Sequence, residues 1–134
     1  MSTKRKGTIA ERELFHLFWK HGWCCLRTAG SGSTTMPAPD LLASNTKGVY
    51  AIECKALKTK RKHFPSKEIH ELEQFATKFG AIPVIAIRFN RHPWYFIEIE
   101  KLKKTVTGNY SINIKSAQEL GKTFEEIIHD LPRG

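Results

Sequence analysis

Ala38-Pro39-Asp40-Leu41-Leu42, the turn signal Ser44-Asn45-Thr46-Lys47-Gly48, and Val49-Tyr50-Ala51-Ile52-Glu53-Cys54-Lys55 form the stretch that organises the chain. Two short runs of β-favouring residues joined by turn formers predict a tight hairpin. Such a hairpin brings Asp40 close to Glu53. Because strand side chains alternate between faces, Glu53 and Lys55 are expected on one surface, with Ile52 and Cys54 in the opposite, apolar layer.

Two carboxylates beside an ammonium are the equipment of metal-assisted phosphodiester hydrolysis. Mg²⁺ prefers oxygen ligands and is typically held by one or two carboxylates, waters and substrate phosphate. Asp40 and Glu53 suit that role, and Lys55 suits orienting the attacking water or stabilising developing negative charge. The spacing alone is weak evidence, since a chain with 26% charged residues produces it by chance.

A third carboxylate comes from the first predicted helix, about Thr8 to His21, with Ile9, Ala10, Leu14, Phe15, Leu17 and Phe18 as its core face and Gly22 as its C-cap. At ~100° per residue Glu11 falls within the arc of Leu14, Phe15 and Phe18, while Arg12 and Glu13 fall outside it. Burying an unpaired charge is costly, so Glu11 is expected to meet a metal-bound water, a cation or hydrogen-bond donors. A boundary glutamate reaching solvent is the alternative.

Residues 1–67 hold 13 Lys and Arg against 4 Asp and Glu; residues 68–134 hold 9 of each. The whole net charge of +9 therefore lies in the half with the candidate site. Lys4, Arg5 and Lys6 precede the first helix, and Lys58, Lys60, Arg61 and Lys62, with His63, follow the Glu53–Lys55 strand. A basic field around carboxylates draws a polyanion to a site that would otherwise repel it, which suits DNA or RNA phosphate. A solubilising face or a lipid-binding tract is the other reading, though no amphipathic membrane helix accompanies it.

At 134 residues and 40% hydrophobic content, the chain is expected to form one domain over 1–134. With no signal-peptide core and no apolar run long enough to span a bilayer, a cytoplasmic, nucleoid-associated location is expected, with no membrane partner. Cys24, Cys25 and Cys54 fit neither a disulfide framework nor a zinc pair and read as core residues. The histidines lack ligand spacing, and neither a Gly-rich phosphate loop nor a Ser-His-Asp set is present.

The rest reads as scaffold. Trp23 to Thr28 suggests an edge or hairpin strand. In the loop Ala29 to Thr35, the Gly30-Ser31-Gly32-Ser33 segment offers hydroxyls and N–H groups to phosphate, or is only a flexible connector. A second helix is predicted from Ser66, as cap, to Phe79, ended by Gly80. Strands follow at Val84 to Phe89 and Trp94 to Glu100, and the apolar run Ile82 to Ile87 points to a central strand covered on both faces. Thr123-x-x-Glu126 signals a capped helix through Leu131. Together these give an α/β fold, a mixed central β-sheet flanked by helices.

Several collinear segments resemble the archaeal-type Holliday junction resolvases of the PD-(D/E)xK, restriction-endonuclease-like superfamily. They are Arg5-Lys6-Gly7 into Ala10-Glu11-Arg12-Glu13-Leu14; His21-Gly22 and Arg27-Thr28-Ala29-Gly30-Ser31; Pro37-Ala38-Pro39-Asp40 and Ile52-Glu53-Cys54-Lys55; Gln74 to Gly80 with Pro83-Val84; and Trp94 to Glu98. The resemblance implies a restriction-endonuclease-like core in which Glu11, Asp40 and Glu53 bind Mg²⁺ and Lys55 assists attack by water. It also implies that Arg27 and Ser31, with Ser33 in the same loop, position substrate or phosphate. The implied partner is four-way junction DNA, bound by a homodimer that nicks opposed strands and leaves 5′-phosphate and 3′-hydroxyl ends, with no small-molecule cofactor. Two-fold symmetry in enzyme and substrate would pair the two cuts. Phe64, Phe75, Phe79 and Trp94 are the aromatic candidates for a dimer contact.

Overall fold

The structure, a computed structural model, describes residues 3–28 and 36–130, with the side chains of residues 3–6 left out of the description. Ser31 and Ser33 lie outside the described residues, as do the side chains of Lys4, Arg5 and Lys6.

The opening helix α1 spans Thr3–Lys20, five residues earlier than the apolar pattern predicts. Lys and Arg are good helix formers, so the basic Lys4-Arg5-Lys6 segment continues the helix although it contributes nothing to the apolar stripe. Gly22 supplies the expected left-handed exit at φ 83°. The strand β1 follows at Cys24–Arg27, then β2 at Leu41–Asn45 and β3 at Gly48–Leu57. β2 and β3 form the predicted hairpin, with Leu41 opposite Ile52 and Asn45 opposite Gly48 across the Thr46-Lys47 turn.

β4 (Arg61–Phe64) leads into α2 (Ser66–Phe79), and β5 (Ile82–Phe89) returns parallel to β3. β6 (Trp94–Glu98) runs back along β5, with residues Ile99–Lys101 turning as a 3-10 helix where the sequence predicts more strand. β7 (Lys103–Lys104), β8 (Tyr110–Asn113), α3 (Ile114–Leu120), β9 (Lys122–Thr123) and α4 (Phe124–His129) complete the chain. The Thr123–Glu126 capping box is present in both directions. Ser66 is not a cap: it is the first helical residue, and its N–H donates to the Asn109 side chain at 3.1 Å. A carboxamide from a distant loop thus does what a local hydroxyl was expected to do.

The main sheet has the order β1-β2-β3-β5-β6-β9, with β3 and β5 its parallel pair. β5 sits between β3 and β6 and buries Val84 to Ile87 on both faces, as its apolar run predicts. Alternation splits the core in two. On one face Ala10, Leu14 and Phe18 of α1 pack on Leu41, Ala43, Tyr50, Ile52, Val84 and Phe96. On the other, Ile69, Leu72 and Ala76 of α2 pack with Phe64 and Ile112 on Ala51, Ile85, Ile87 and Ile97.

β1 ends the sheet, so Cys25 is buried on the α1 side while Cys24 and Leu26 face outward. That corrects the expectation that all three cysteines are core. Phe64 and Trp94 are likewise core residues, leaving Phe75 and Phe79 as the candidates available for a dimer contact. A second sheet, β4-β8-β7, goes unannounced by the sequence because its strands are two to four residues long.

Gly121, between α3 and β9, has no room for a side chain. An added Cβ there would stand 2.6 Å from the Ala117 carbonyl oxygen and 3.1 Å from Ile97 Cγ1. Backbone cannot step aside as a side-chain tip can, so Gly121→Ala is expected to cost about 1–3 kcal/mol. Urea unfolding should show this as a lower midpoint with unchanged slope.

Candidate active site

The hairpin register decides the geometry. Leu41 faces Ile52, so the preceding Asp40 falls opposite Glu53, and both point to the α2 side of the sheet. Each carboxylate is tied to the other's strand: Asp40 N–H donates to Glu53 Oε1 at 3.1 Å, and Cys54 N–H donates to Asp40 Oδ2 at 2.8 Å. Thr28, just past β1, fixes the same corner, its N–H donating to the Asp40 carbonyl at 3.1 Å and its hydroxyl to the Pro39 carbonyl. Cys54 faces α1 and packs against that core, as alternation requires.

Lys55 shares the face of Glu53, but its ammonium is engaged. Nζ lies 2.7 Å from Glu68 Oε1, in the first turn of α2, with about a quarter of each side chain exposed. Sequence reasoning passes over Glu68, which reads as an ordinary first-turn acid favoured by the helix dipole. Only packing of α2 over β3 reveals its partner. A small hollow of about 40 Å³, lined by Pro37, Ala38, Glu53, Glu68, Glu71 and Leu72, lies beside the pair. It has room for about one water.

Glu11 arrives from the other side of the sheet. It is partly buried, as its place in the apolar arc predicts, and its Oε1 lies 3.7 Å from Arg27 Nη2. Arg27 is therefore poised at the site's edge and held by Glu11. Among the described residues, no three His, Cys, Asp or Glu side chains gather closely enough to hold a metal ion. The expected three-carboxylate cluster is thus a close pair, Asp40 with Glu53, and an outlying Glu11 neutralised by arginine. The physical reason is that Glu11 comes from α1, across the sheet from the face on which the pair sits.

Burial pushes Glu53 up to about 8, with the Asp40 charge adding to the effect and Lys55 opposing it. Asp40 is also raised, first by burial, although the Cys54 N–H and the Lys55 charge pull it down. Glu11 is raised by burial and by Asp40, against Arg27. Burial works against the charge of Lys55, but its bond to Glu68 and the charges of Glu68, Glu53 and Asp40 outweigh it, so its pKa is raised. The carboxylates therefore carry electrostatic strain that a cation would relieve, and their oxygens are of the kind that suits a hard ion.

Of the remaining predicted contacts, Lys58, Lys60 and Arg61 are exposed on and beside the turn that leaves β3. Lys62 differs: its Nζ lies 5.8 Å from the centre of the Phe64 ring, on the packed face of β4. Glu13, outside the apolar arc, ion-pairs Arg88, which stacks over Trp94 at 4.9 Å.

The sequence matches the family described as archaeal Holliday junction resolvase (Hjc) over residues 2–131. The chain belongs to that family. It is 34% identical over 129 residues to the crossover junction endodeoxyribonuclease Hjc of Archaeoglobus fulgidus, covering 92% of this chain and 95% of that one. The crossover junction endodeoxyribonuclease Hje of Saccharolobus islandicus is 28% identical over 128 residues, 92% of this chain and 93% of that one. The solved structure of the A. fulgidus Hjc, a Holliday junction resolvase from an archaeal hyperthermophile, superposes with a TM-score of 0.83 at 32% identity, over 90% of this chain and 98% of that one. The α/β fold with a mixed central sheet between helices is thus that of the family. Among the described residues, no helix is long and apolar enough to cross a membrane.

The raised Glu53 has a consequence for stability. Between its ordinary 4.5 and about 8 the folded chain keeps a proton that the unfolded chain has lost. Native protein binds more protons in that window, so this group's contribution to stability falls as pH rises through it. Glu53→Gln, which never ionises, is expected to match the parent near pH 4. By pH 8 it should exceed the parent by on the order of 3 kcal/mol, read as a Tm difference that grows across the window.

Proposed function

We propose that this protein is a Mg²⁺-dependent, structure-selective endonuclease that resolves four-way DNA junctions. It makes paired hydrolytic nicks in opposed strands, leaves 5′-phosphate and 3′-hydroxyl ends, and acts as a homodimer without a small-molecule cofactor. Family membership supports the substrate class. The observation that carries the chemistry is the half-buried Asp40–Glu53 pair, whose proton affinity is raised, beside the Lys55 ammonium.

Asp40 and Glu53 would hold the ion, with Glu11 near enough to influence Asp40 electrostatically. When bound, Mg²⁺ would acidify a water and offset charge on the phosphate. The chain's own residues do the rest. The Cys54 N–H and Asp40 N–H hold the two carboxylates in fixed relative orientation. Lys55 presents a charged donor to the attacking water or the scissile phosphate, and Glu68 sets where that donor points. Water attacks phosphorus, the bond to the 3′ oxygen breaks, and that oxygen takes up a proton. Arg27 is a phosphate ligand in waiting, exchanging Glu11 for substrate. For the dimer, the support is an apolar strip on α2, where Phe75 and Phe79 stack at 5.2 Å and Phe79 is 54% exposed. They border a hollow of about 270 Å³ shared with Met36 and Pro37.

Incubation with a labelled four-way junction, a linear duplex and a flap, with and without Mg²⁺, tests the reading. Metal-dependent cutting of the junction above the others is expected. Equal cutting of all three would leave a general nuclease, and binding without any cutting would leave an architectural protein. Asp40→Ala and Glu53→Ala should still bind junctions and lose cleavage; variants that lose binding yet cut normally once bound would contradict the assignment.

Glu68 can be tested separately. Glu68→Gln keeps the shape but loses the charge that holds Lys55, and is expected to slow single-turnover cleavage about 10-fold or more with junction affinity little changed. An unaltered rate would remove Glu68 from the machinery.

A further inference from the structure

The second sheet joins two segments remote in sequence. Residues 54–67 and 101–118 each contain lysines or arginines and no Asp or Glu. The first holds Lys58, Lys60 and Arg61; the second holds Lys101, Lys103 and Lys104. Comparing charge by halves hides the second segment, because the acids of α2 and of the C-terminal helices balance it. In the fold it lies beside the basic turn: β4 pairs with β8, β8 pairs with β7, and the Ile114 N–H donates to the Lys60 carbonyl at 3.2 Å.

Register sorts the side chains of this sheet. Phe64, Tyr110 and Ile112 face the core, with Lys62 and Lys104 lying near the Phe64 and Tyr110 rings. The opposite face carries His63, Ser111 and Lys103 in one row across the three strands, and Arg61 beside Asn113 in the next. Arg61, His63 and Lys103 are exposed, and no ion pair to a carboxylate occupies them among the described residues. Asn113 is already committed, its side chain capping α3. An outward sheet face of cations and neutral donors, with no acid on its three strands, has one fitting counterpart. That is a row of phosphates.

We propose that the outer face of β4-β8-β7, through Arg61, His63, Ser111 and Lys103, is a platform that holds the sugar-phosphate backbone of a DNA duplex arm leading away from the cutting site. It rests on the junction reading above for the identity of the DNA, and extends it to an arm that never meets the carboxylates. Its position fits, since β4 follows directly from the strand bearing Glu53 and Lys55 and leads into the helix bearing Glu68. Arg61 supplies the forked donor suited to phosphate, Lys103 a point charge, and Ser111 and His63 further hydrogen-bond partners between them.

The test is equilibrium binding of fluorescent four-way junction and of linear duplex at several salt concentrations, with EDTA present so that no cutting occurs. Arg61→Gln/Lys103→Gln is compared with Lys20→Gln/Lys47→Gln. The latter removes equal charge from exposed positions outside the second sheet, at the end of α1 and in the turn before β3. The platform variant is expected to reduce the magnitude of the log K against log salt slope by about 0.9 for each phosphate it no longer neutralises, on both DNAs, and the control is not. An unchanged slope in a platform variant with a parent-like circular dichroism spectrum would overturn the proposal. So would an equal change in both variants, which would mean that only net charge matters. Because EDTA removes chemistry from the measurement, a failed cleavage assay and a failed platform give separate results.

Discussion

The register of one hairpin governs the functional corner of this protein. With Leu41 opposite Ile52, Asp40 must stand opposite Glu53, and the two carboxylates are locked by N–H groups from each other's strands. A slip of one residue would turn Glu53 and Lys55 into the α1 core and Ile52 and Cys54 toward α2. The apolar cores on the two faces therefore hold the chemistry in place indirectly. They forbid every register except the one that brings the acids together.

That placement opposes local stability. Glu53 and Lys55 occupy strand positions that could otherwise extend the apolar layer beneath α2, where Ala51, Ile85 and Ile87 are fully buried. The acids are desolvated and repel each other, and the raised proton affinity of Glu53 measures the conflict. Glu68 and Lys55 moderate it by giving the site one internal ion pair. Carboxylates whose proton affinities are pushed up together in one place are a mark of a functional site rather than of a structural one.

The two sheets divide the labour. The larger positions the acids through long, fully packed strands, whereas the smaller, built from short pieces, spreads cations over a face where few side chains need to pack. Arg61 and Lys103 come from segments about forty residues apart, and only the pairing of β4 and β7 with β8 makes them parts of one face.

Periodicity, turn chemistry and caps are local properties of a chain, and they suffice to specify the hairpin, the two packed helices, the buried β5 strand, the Glu53–Lys55 face and the partial burial of Glu11. Packing in three dimensions was needed for the pairing of Lys55 with Glu68, the tie between Glu11 and Arg27, the capping of α2 by Asn109 and the assembly of β4-β8-β7. Each joins residues that no short window contains, through strands too brief for alternation to register or through side chains whose partners are chosen by helix packing. Charge behaves the same way: summed along the chain it placed the basic half, but neighbours in space, set by strand pairing, decided which cations face solvent together.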